Sequence, residues 1–316
     1  MTSSNKKIFI AGSRGFLGRV IFEKLKKAGY RNVFPASSKK IDLTDLHNCV
    51  RATRGANLVI NAAGIVTSRR DQITRPASIF YTNSLIELQL LEACRINKIP
   101  EMISICSITA YGDGLPLPLK EKYLLETAPQ AKGPFGFYGL SKWIMIPAAI
   151  SYAEEFAIKH RVLIFPNLYG TNDKFEDRYP PLVPNFIKMI WAAMRKKEKT
   201  LVGGKNPLTE LDLLFVDDAA DFVLRVIDRF GREQFLAVNV GSGKAVTVKS
   251  VAEAAAKNLG YNGTITWDDK KSGGKKFLDN AFARRRFGWR PRIRLKEGIK
   301  KTIGSFLKKI EKHAKK

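Results

Sequence analysis

The fold is decided by the stretch Ile8-Phe9-Ile10-Ala11-Gly12-Ser13-Arg14-Gly15-Phe16-Leu17-Gly18. In it a short apolar strand precedes glycines spaced G-x-x-G-x-x-G, and a helical pattern follows them. Gly12 permits a tight turn, Gly15 lets the backbone approach a pyrophosphate, and Gly18 lets the helix pack against the strand. Phosphates are expected at the helix N-terminus, which attracts anions. The stretch therefore predicts a dinucleotide-binding site.

Apolar, β-branched segments alternate with helical patterns through the first half of the chain, as is typical of a parallel sheet covered on both faces. The predicted strands are 7–11, 32–36, 58–61, 102–106 and 161–165. The predicted helices are 15–28, 45–52, 79–96 and 138–160. Together they predict an α/β fold with a doubly wound parallel Rossmann sheet.

The pattern changes after Asn167, where three prolines interrupt the chain before a predicted helix over 185–196. Later segments predict a helix capped by Asp217 and Asp218, a strand over 237–240 and a helix over 248–259. We expect a dinucleotide-binding domain over 1–166, to which 208–242 return, a smaller α/β substrate-binding lobe over 167–207 and 243–300, and a basic C-terminal helix over 301–316.

The chain is strongly basic, with 55 Lys and Arg against 29 Asp and Glu and a net charge of +26. Such a charge attracts polyanions, which could be nucleic acid, an anionic membrane or phosphorylated small molecules, and a merely solvated basic surface is the alternative. Between Leu295 and Lys316, apolar residues recur at helical spacing among lysines. This segment predicts an amphipathic helix that packs on the protein, with a membrane or a partner as the alternative contact.

The cysteines are few, odd in number and unclustered: Cys49, Cys94 and Cys106. They argue against a disulfide framework and against a thiolate metal site, so we predict a reducing compartment and no bound metal. No apolar run reaches the roughly 18 to 20 residues of a membrane span, and the first residues lead into a strand without a signal peptide. A cytoplasmic protein is expected.

A second motif lies far downstream of the glycines, with Ser107 at the end of the fourth predicted strand and Tyr138 four residues before Lys142. Tyr138 and Lys142 share one helix face, so the cation can lower the phenol pKa and bind the ribose next to the nicotinamide. A phenol of lowered pKa can donate a proton to a carbonyl oxygen, which Ser107 can hold by a hydrogen bond. We therefore predict Ser107, Tyr138 and Lys142 as catalytic residues.

These motifs, in this order, resemble the extended short-chain dehydrogenases/reductases of the NAD-dependent epimerase/dehydratase type, and most of all the GDP-L-fucose synthases. Further matching segments are 61–64, 111–112, 167–170, 215–218, 239–243, 278–279 and 287–289. The resemblance spans nearly the whole chain and implies an oxidoreductase or epimerase of a nucleotide sugar. It also implies a homodimer formed through helices 79–96 and 138–160. Nucleic acid is not an expected partner.

The end of the second predicted strand favours NADP over NAD. Ser37, Ser38 and Lys39 stand where NAD enzymes usually carry an acid, and Arg14 matches an arginine that the family directs at the extra phosphate. Surface charge alone is the other explanation of the lysines. The motifs and the resemblance imply these cofactor contacts: Gly12, Arg14, Gly15, Phe16, Leu17, Gly18, Ser37, Ser38, Lys39, Asp42, Leu43, Ala62, Ala63, Gly64, Lys142, Asn167 and Leu168.

The chain departs from the fucose synthases at the residues that resemble their epimerase pair. Thr109 replaces the Cys, the His position falls near Pro181, and no histidine adjoins a site motif: His47, His160 and His313 are expected to be surface or helix residues. Ile108 and Thr109 also replace the Asp-Glu of the dehydratases of this superfamily.

The substrate side is altered too, because 211–213 read Leu-Asp-Leu where fucose synthases have Arg-Glu-Phe. A cation expected to hold the nucleotide diphosphate is therefore missing, and lysines elsewhere could compensate only as point charges. The predicted substrate contacts are Thr109, Asn167, Lys188 and Lys275.

These residues favour an NADP-dependent reductase of a nucleotide-linked 4-keto-6-deoxy sugar that lacks the Cys/His epimerase step. A nucleotide-sugar 4-epimerase stays open, because Thr109 matches the residue that many such enzymes carry. An alternative of another class is a non-catalytic NADP-binding protein whose basic surface contacts RNA or a partner.

Overall fold

The computed structural model describes residues 5–36, 41–66, 69–133, 135–176, 180–269 and 271–314. Its strands are β1 (Ile8–Ala11), β2 (Val33–Pro35), β3 (Leu58–Asn61), β4 (Glu101–Ser107), β5 (Lys159–Phe165), β6 (Asn167–Tyr169), β7 (Thr200–Val202), β8 (Glu210–Leu211), β9 (Leu213–Phe215), β10 (Phe235–Asn239), β11 (Val246–Thr247), β12 (Thr264–Thr266) and β13 (Lys275–Lys276).

The helices are α1 (Phe16–Lys27), α2 (Leu46–Thr53), α3 (Arg69–Thr74), α4 (Pro76–Ile96), α5 (Lys122–Glu126), α6 (Gly136–Trp143), α7 (Met145–Phe156), α8 (Leu182–Arg195), α9 (Val216–Asp228), α10 (Val248–Leu259), α11 (Ala281–Phe287) and α12 (Leu295–Ala314). A short 3-10 helix covers Ile108–Ala110. No helix among the described residues combines the length and the apolar character needed to cross a membrane.

The chain divides into two compact units. Unit 1 comprises residues 1–165, 219–240 and 279–289, and unit 2 comprises 166–218, 241–278 and 290–316. This division differs from our expectation at three places. Residues 208–218 belong to unit 2, where β8 and β9 pair with other strands of that unit, and 279–289 belong to unit 1, where Phe287 packs on Phe222. Residues 301–314 continue α12 and do not form a separate element.

Unit 1 is built on a parallel sheet. Its described residues form six strands in the order β10-β5-β4-β3-β1-β2, with every neighbouring pair parallel. Strand β2 pairs with one edge of β1, and β3, the next strand in the chain, pairs with the opposite edge of β1. Ligands of such sheets bind at the carboxyl ends of the strands where the order reverses, which here is the gap between β1 and β3. The predicted doubly wound Rossmann sheet is confirmed.

Apolar side chains on one side of this sheet pack against α2 and α4. This core contains Phe9, Val59, Cys49, Leu90, Cys94 and Met102, all almost fully buried. All three cysteines are buried free thiols. The strands read as continuous apolar runs because both faces are covered, which explains why β3 could be predicted to the residue.

The single helix predicted over 138–160 is wrong. The structure has two helices, α6 ending at Trp143 and α7 beginning at Met145, and Ala157 after α7 is left-handed with φ +55°. Pro147 explains the break, because proline lacks the N–H that would bind the carbonyl of Trp143 and its ring would clash with that carbonyl. The remaining predicted helical residues up to His160 start β5.

Unit 2 has its own core and only short strands. Its described residues pair β6 with β9, β12 with β7, and β8 with both β11 and β13. Helices α8, α10 and α12 share an apolar core that includes Phe186, Ile190, Val251, Ile303 and Phe306. Helix α10 has its predicted bounds, whereas α8 begins at Leu182 and not after Pro184, because a proline is tolerated in the first turn of a helix.

The basic C-terminal helix packs on unit 2 as predicted. In α12 the side chains of Ile299, Ile303 and Phe306 are buried in the core of unit 2, while Lys296 and Lys300 are exposed. The apolar face of α12 is therefore already occupied by protein.

Candidate active site

The glycine turn connects β1 to α1 and forms a cradle of closely spaced backbone. Gly12 has φ +75°, and a Cβ atom at this position would lie 2.6 Å from the carbonyl oxygen of Ala62. A Cβ on Gly18 would lie 2.2 Å from the carbonyl oxygen of Gly12. The Gly15 N–H donates to Gly12 O at 2.8 Å, and α1 starts directly after Gly15.

This turn fits a dinucleotide. It lies at the carboxyl ends of β1 and β3, the place where the strand order reverses, and α1 directs the unpaired N–H groups of its first turn there. Phe16 and Leu17 open the helix, and Ala62, Ala63 and Gly64 follow β3. The predicted contacts of the pyrophosphate and the ribose are thus brought together, although their role stays a prediction.

The residues predicted to select the cofactor are only partly described. Ser37, Ser38 and Lys39 lie outside the described residues, while Arg14 is exposed beside the glycine turn. The carboxylate of Asp42 accepts hydrogen bonds from the Oγ1 and the N–H of Thr44 at 2.7 and 2.9 Å, which lower its pKa. Leu43 next to it is buried.

Ser107 ends β4 and caps the 3-10 helix that follows. Its Oγ accepts hydrogen bonds from the N–H of Thr109 at 3.2 Å and from the Oγ1 of Thr109 at 2.9 Å. Both lone pairs of this oxygen are then occupied, so its own hydrogen is the group left to donate, and Ser107 accordingly lowers the pKa of Tyr138. Thr109 was predicted to contact the substrate, and in the structure it orients Ser107.

A glycine allows Tyr138 to reach Ser107. A Cβ on Gly139 would lie only 2.4 Å from the carbonyl oxygen of Thr109, so α6 can approach the 3-10 helix only because residue 139 has no side chain. The Oγ of Ser141 donates to the carbonyl of Tyr138 at 2.8 Å and holds this turn of α6. The sequence Tyr138-Gly139 therefore serves the close approach of two elements.

Lys142 lies buried beneath the same site. Its Nζ donates to the carbonyl oxygen of Ile105 at 3.3 Å, and a Cβ on Gly64 would lie 3.4 Å from this Nζ. Its backbone carbonyl accepts from Cys106 Sγ at 3.3 Å. Lys142 is thus fixed between the end of β4 and the loop after β3, where the predicted ribose contact would be made.

Burial dominates the pKa values of both groups. It raises the pKa of Tyr138 well above that of a free phenol, and the Cys106 thiol adds to this effect while the hydrogen bond from Ser107 opposes it. It lowers the pKa of Lys142, against the effects of Cys106 and Glu87. The predicted lowering of the phenol pKa by Lys142 is not found, because the lysine is not among the groups that shift it. Tyr138 is consequently protonated at neutral pH and has a proton to donate.

Two polar residues of α4 support the site and were missed in the sequence. Asn83 accepts from the N–H of Ile65 at 2.6 Å and donates to its carbonyl at 3.1 Å, which fixes the loop after β3. Glu87, one turn later, is almost fully buried and accepts hydrogen bonds from Asn61 and Ser104. The sequence did indicate that these two residues are unusual, because both are polar and interrupt an otherwise apolar helix face. That face is formed by Ile79, Ile86, Leu90 and Leu91.

His160 does not match the expected surface or helix residue. It is completely buried in β5, where its Nε2 lies 2.7 Å from the Oγ of Ser104. Burial lowers its pKa to about 3, so it is neutral at physiological pH. Among the described residues, no group of three or more His, Cys, Asp or Glu could hold a metal ion.

The remaining predicted residues lie in unit 2. Asn167 donates from Nδ2 to the carbonyl of Asp212 at 3.3 Å, and Leu168 follows it in β6. Lys188 donates to the carbonyl of Phe175 at 2.6 Å, and Lys275 forms an ion pair with Glu210 at 2.6 Å. Both lysines therefore already have partners within the unit, which weakens them as point charges for a diphosphate.

Asp212, next to the Leu211 that replaces the expected cation, has a structural role in unit 2. Its buried carboxylate accepts from the N–H and the Oγ of Ser242 and from the N–H of Leu278. It thereby connects the chain at residue 212 with the turn at residue 242 and with residue 278.

Comparisons with known proteins show which family the chain resembles. The sequence profile of the "NAD dependent epimerase/dehydratase family" matches residues 8–241. A putative GDP-L-fucose synthase 2 of Arabidopsis thaliana is 29% identical over 322 residues, covering 98% of this chain and 94% of the relative. GDP-L-colitose synthase of Yersinia pseudotuberculosis is 29% identical over 309 residues, covering 95% and 98%.

The fold also matches solved structures. A GDP-mannoheptose C4 reductase from Campylobacter jejuni, with NADP bound, superposes with a TM-score of 0.86 at 19% sequence identity and covers 96% of this chain and 99% of that chain. This likeness extends through both units, and at this identity it concerns the fold alone.

Proposed function

The chain belongs to the NAD dependent epimerase/dehydratase family, and from that premise we propose that it is an NADP-dependent reductase of a nucleotide-linked 4-keto-6-deoxy sugar. The observation that carries the proposal is the close approach of α6 to the 3-10 helix at Gly139, which brings the buried Tyr138 to Ser107, with Lys142 one helical turn away. This is the arrangement needed to protonate the oxygen of a carbonyl that receives a hydride.

The chain's residues divide the reaction between them. A bound nicotinamide cofactor supplies the hydride that reduces the sugar carbonyl. Ser107, held by Thr109, offers its hydrogen to the carbonyl oxygen and polarises it. Tyr138 donates its phenolic proton to that oxygen as the alcohol forms, and the ammonium of Lys142 holds the cofactor ribose beside the nicotinamide. The proton returns to Tyr138 from solvent before the next turnover.

Reduction without prior epimerisation is supported by the residues that are missing. Thr109 stands at the position of the epimerase Cys, and its hydroxyl donates to Ser107. Pro181, near the position of the epimerase His, precedes α8 and has no proton to exchange. The name of one structural relative, a C4 reductase, describes the same reaction on another sugar.

NADP is proposed as the cofactor on two grounds. Arg14 is exposed beside the glycine turn, where its guanidinium can pair with a phosphate on the adenosine ribose. The structural relative with 19% identity contains NADP. A homodimer and a cytoplasmic location remain predictions from the sequence.

The proposal is tested by NADPH oxidation. The purified protein is mixed with NADPH, or with NADH, and with a panel of GDP- and UDP-linked 4-keto sugars, and absorbance at the nicotinamide band is followed. We expect consumption of NADPH with at least one sugar and slower consumption of NADH. No oxidation with any member of the panel would count against a reductase.

Tyr138→Phe supplies the matched variant for that assay. We expect a loss of kcat of about 10²- to 10⁴-fold, the usual contribution of a positioned proton donor, with NADPH affinity unchanged in a fluorescence titration. Tyr152→Phe is the control, since Tyr152 on α7 donates to the carboxylate of Glu92. A Tyr138→Phe variant as active as the control would remove Tyr138 from the mechanism.

A 4-epimerase is the second candidate, favoured by the threonine beside Ser107. It is distinguished by cofactor that copurifies with the protein and by turnover of a nucleotide sugar without net consumption of NADPH. A non-catalytic NADP-binding protein would bind the cofactor but turn over no sugar, and salt-sensitive RNA binding in a gel shift would favour it.

A further inference from the structure

A buried polar cluster lies beneath the candidate active site, on the side of the sheet that packs against α4. It consists of Asn61 at the end of β3, Glu87 on α4, Ser104 on β4 and His160 on β5, each at most 3% exposed. An ionisable group in such surroundings needs hydrogen bonds or a counter-charge, since burial alone strongly disfavours its charged form. The hydrogen bonds indicate which form of Glu87 is present.

Asn61 defines one oxygen of the Glu87 carboxyl group as an acceptor. The Oδ1 of Asn61 accepts from the N–H of Ala63 at 3.0 Å, and a backbone N–H can only donate. The side-chain amide of Asn61 is therefore oriented with its Nδ2 towards Glu87, and it donates to Oε2 at 2.6 Å. A flipped amide would set two donors against each other at Ala63.

Ser104 and His160 define the other oxygen in the same way. Ser104 Oγ lies 2.5 Å from Glu87 Oε1 and 2.7 Å from His160 Nε2, while the Nδ1 of His160 is buried without a partner among the described residues. If Glu87 carried a proton on Oε1, Ser104 would have to donate to Nε2, and the histidine would bury an unpaired N–H at Nδ1. If Nε2 carries the proton instead, it donates to Ser104, and Ser104 donates to Oε1 of Glu87. Only a lone pair is then left unpaired at Nδ1, which is the less costly arrangement.

Burial raises the pKa of Glu87, and the hydrogen bonds from Ser104 and Asn61 oppose this effect, so both oxygens are arranged as the acceptors of an ionised carboxylate. Its positive counterpart is on α6: a Cβ on Gly64 would lie 3.4 Å from the Nζ of Lys142 and 3.2 Å from the Oδ1 of Asn83, one helical turn before Glu87. Lys142 is the only cation among the groups that act on the Glu87 carboxyl within the described residues, and Glu87 in turn opposes the effect of burial on Lys142. His160 is neutral and supplies a hydrogen bond only.

We propose that Glu87 is a positioning residue of this site, whose buried carboxylate is the counter-charge that keeps Lys142 in its ammonium form. The inference rests on the proposed function only for the role of the ammonium in holding the cofactor ribose. Glu87 itself touches neither substrate nor cofactor in this scheme and acts through Lys142 alone.

Other titratable groups near the pair are few. Tyr138 lies on the same helix as Lys142, and Cys106 of β4 acts on Lys142 directly; on α4, Cys94 lies one to two turns from Glu87. Burial raises the pKa of both thiols, so at neutral pH neither carries the negative charge that Lys142 needs. Glu87 is left as the source of that charge.

The first experiment needs no substrate. Lysine labelled with ¹³C at Cε is incorporated into the full chain, and the Lys142 signal, assigned by its loss in Lys142→Met, is followed from pH 6 to 11. Glu87→Gln is expected to lower the midpoint of the Lys142 titration by about one pH unit or more. Glu87→Asp, which keeps the charge, is expected to restore most of that shift.

The matched control is Glu92→Gln on the same helix. Glu92 pairs with Arg95 at 2.6 Å and accepts from Tyr152, outside the buried cluster. Its substitution is expected to leave the Lys142 midpoint unchanged. An unchanged midpoint in Glu87→Gln as well would overturn the proposal, whatever the enzyme's substrate proves to be.

The second experiment uses the reductase assay. In Glu87→Gln the alkaline limb of the kcat profile is expected to move to lower pH by about one unit, with KM for the sugar unchanged, because the variant loses the ammonium earlier. A purely structural role would lower kcat at every pH and leave the limb in place, which contradicts the proposal.

A measurement on the wild-type protein covers the case in which Glu87→Gln does not fold. Uniform ¹³C labelling of glutamate reports the carboxyl shift of Glu87, assigned through its backbone. We expect the shift of an ionised carboxylate at pH 7. A neutral carboxyl signal at that pH would overturn the proposal.

Discussion

Gly12 and Gly55 adopt almost the same backbone conformation, with φ of +75° and +74°, but their surroundings differ. A side chain on Gly55 would meet nothing within 4 Å, whereas on Gly12 it would overlap the backbone of Ala62. The comparison separates the cost of a left-handed conformation from the cost of a close approach, which the glycine motif alone cannot do.

Gly55→Ala is accordingly expected to lower the free energy of unfolding by about 1 kcal/mol, the cost of a left-handed alanine. Gly12→Ala should cost at least twice as much and also weaken NADPH binding, because the turn must open to admit the methyl group. Urea unfolding and a fluorescence titration with NADPH measure the two effects. Equal losses in both variants would show that the approach to Ala62 is not tight.

Asp173 gives unit 2 a specific pH dependence. Its side chain is 2% exposed, and burial raises its pKa from the ordinary 3.8 to about 6. Between these values the folded protein holds a proton that the unfolded chain releases. Stability therefore falls as pH rises from about 4 to 6, and the full loss persists at pH 7.

Asp173→Asn removes this dependence. Relative to the wild type, the variant is expected to gain on the order of 2 to 3 kcal/mol between pH 4 and pH 7, on top of an offset that does not vary with pH. Urea unfolding at several pH values measures the difference. A difference that stays constant over this range would show that the Asp173 carboxyl titrates normally.

At the scale of elements, the start of α2 shows how a side chain ends a loop and begins a helix. Asp45 has an extended backbone, and its carboxylate accepts from the N–H of Asn48 at 2.7 Å. This hydrogen bond satisfies one of the free N–H groups of the first turn, and the negative charge complements the helix dipole. The helix predicted over 45–52 includes this capping residue as its first position.

Asp45→Ala is therefore expected to lower the free energy of unfolding by about 1 kcal/mol, and Asp45→Asn by much less, since asparagine caps helices as well as aspartate. Chemical denaturation of the two variants tests this. If both lost the same amount, the charge and not the hydrogen bond would be responsible.

The elements also show what the sequence can and cannot predict. Local sequence patterns predicted the first and last residues of β3 and α10 correctly. In both cases the residues that end the element lie next to it in the chain: β3 is a short apolar run, and α10 is an amphipathic stretch with capping residues. The break at Ile144 was missed because Pro147 acts on a carbonyl four residues earlier. The cluster around Glu87 was missed because its partners, Asn61 and Ser104, come from strands far apart in the chain and meet only in the sheet.

The candidate site was also predictable only in part: its residues were, and its electrostatics were not. Ser107, Tyr138 and Lys142 lie in recognisable motifs, and the structure brings Ser107 to Tyr138 as expected. The electrostatic balance was not predictable, since burial depends on the packed fold. It raises the pKa of Tyr138, although the sequence suggested that Lys142 would lower it.

At the scale of the whole molecule, the net charge of +26 is the dominant long-range force. Like charges repel most strongly in the compact state, so screening by salt stabilises the fold. We expect the midpoint of urea unfolding to rise between about 20 and 300 mM NaCl. A midpoint independent of salt would mean that local ion pairs already balance the charge.

Specific anion binding needs a control in that experiment. Potassium phosphate at equal ionic strength is compared with NaCl, because screening depends on ionic strength alone while a phosphate site adds stabilisation by mass action. Equal midpoints are expected for screening, and a higher midpoint in phosphate would reveal bound anion.

Unit 1 is assembled from three separate segments, and this order has a consequence for biosynthesis. On the ribosome, β5 is complete at residue 165, but its neighbour β10 is not made until residue 239. Meanwhile the nascent chain displays an apolar strand with an open hydrogen-bonding edge, the kind of surface that recruits other chains. Fragments that stop in this interval should aggregate during expression, whereas in the longer chain β10 pairs with the exposed edge of β5.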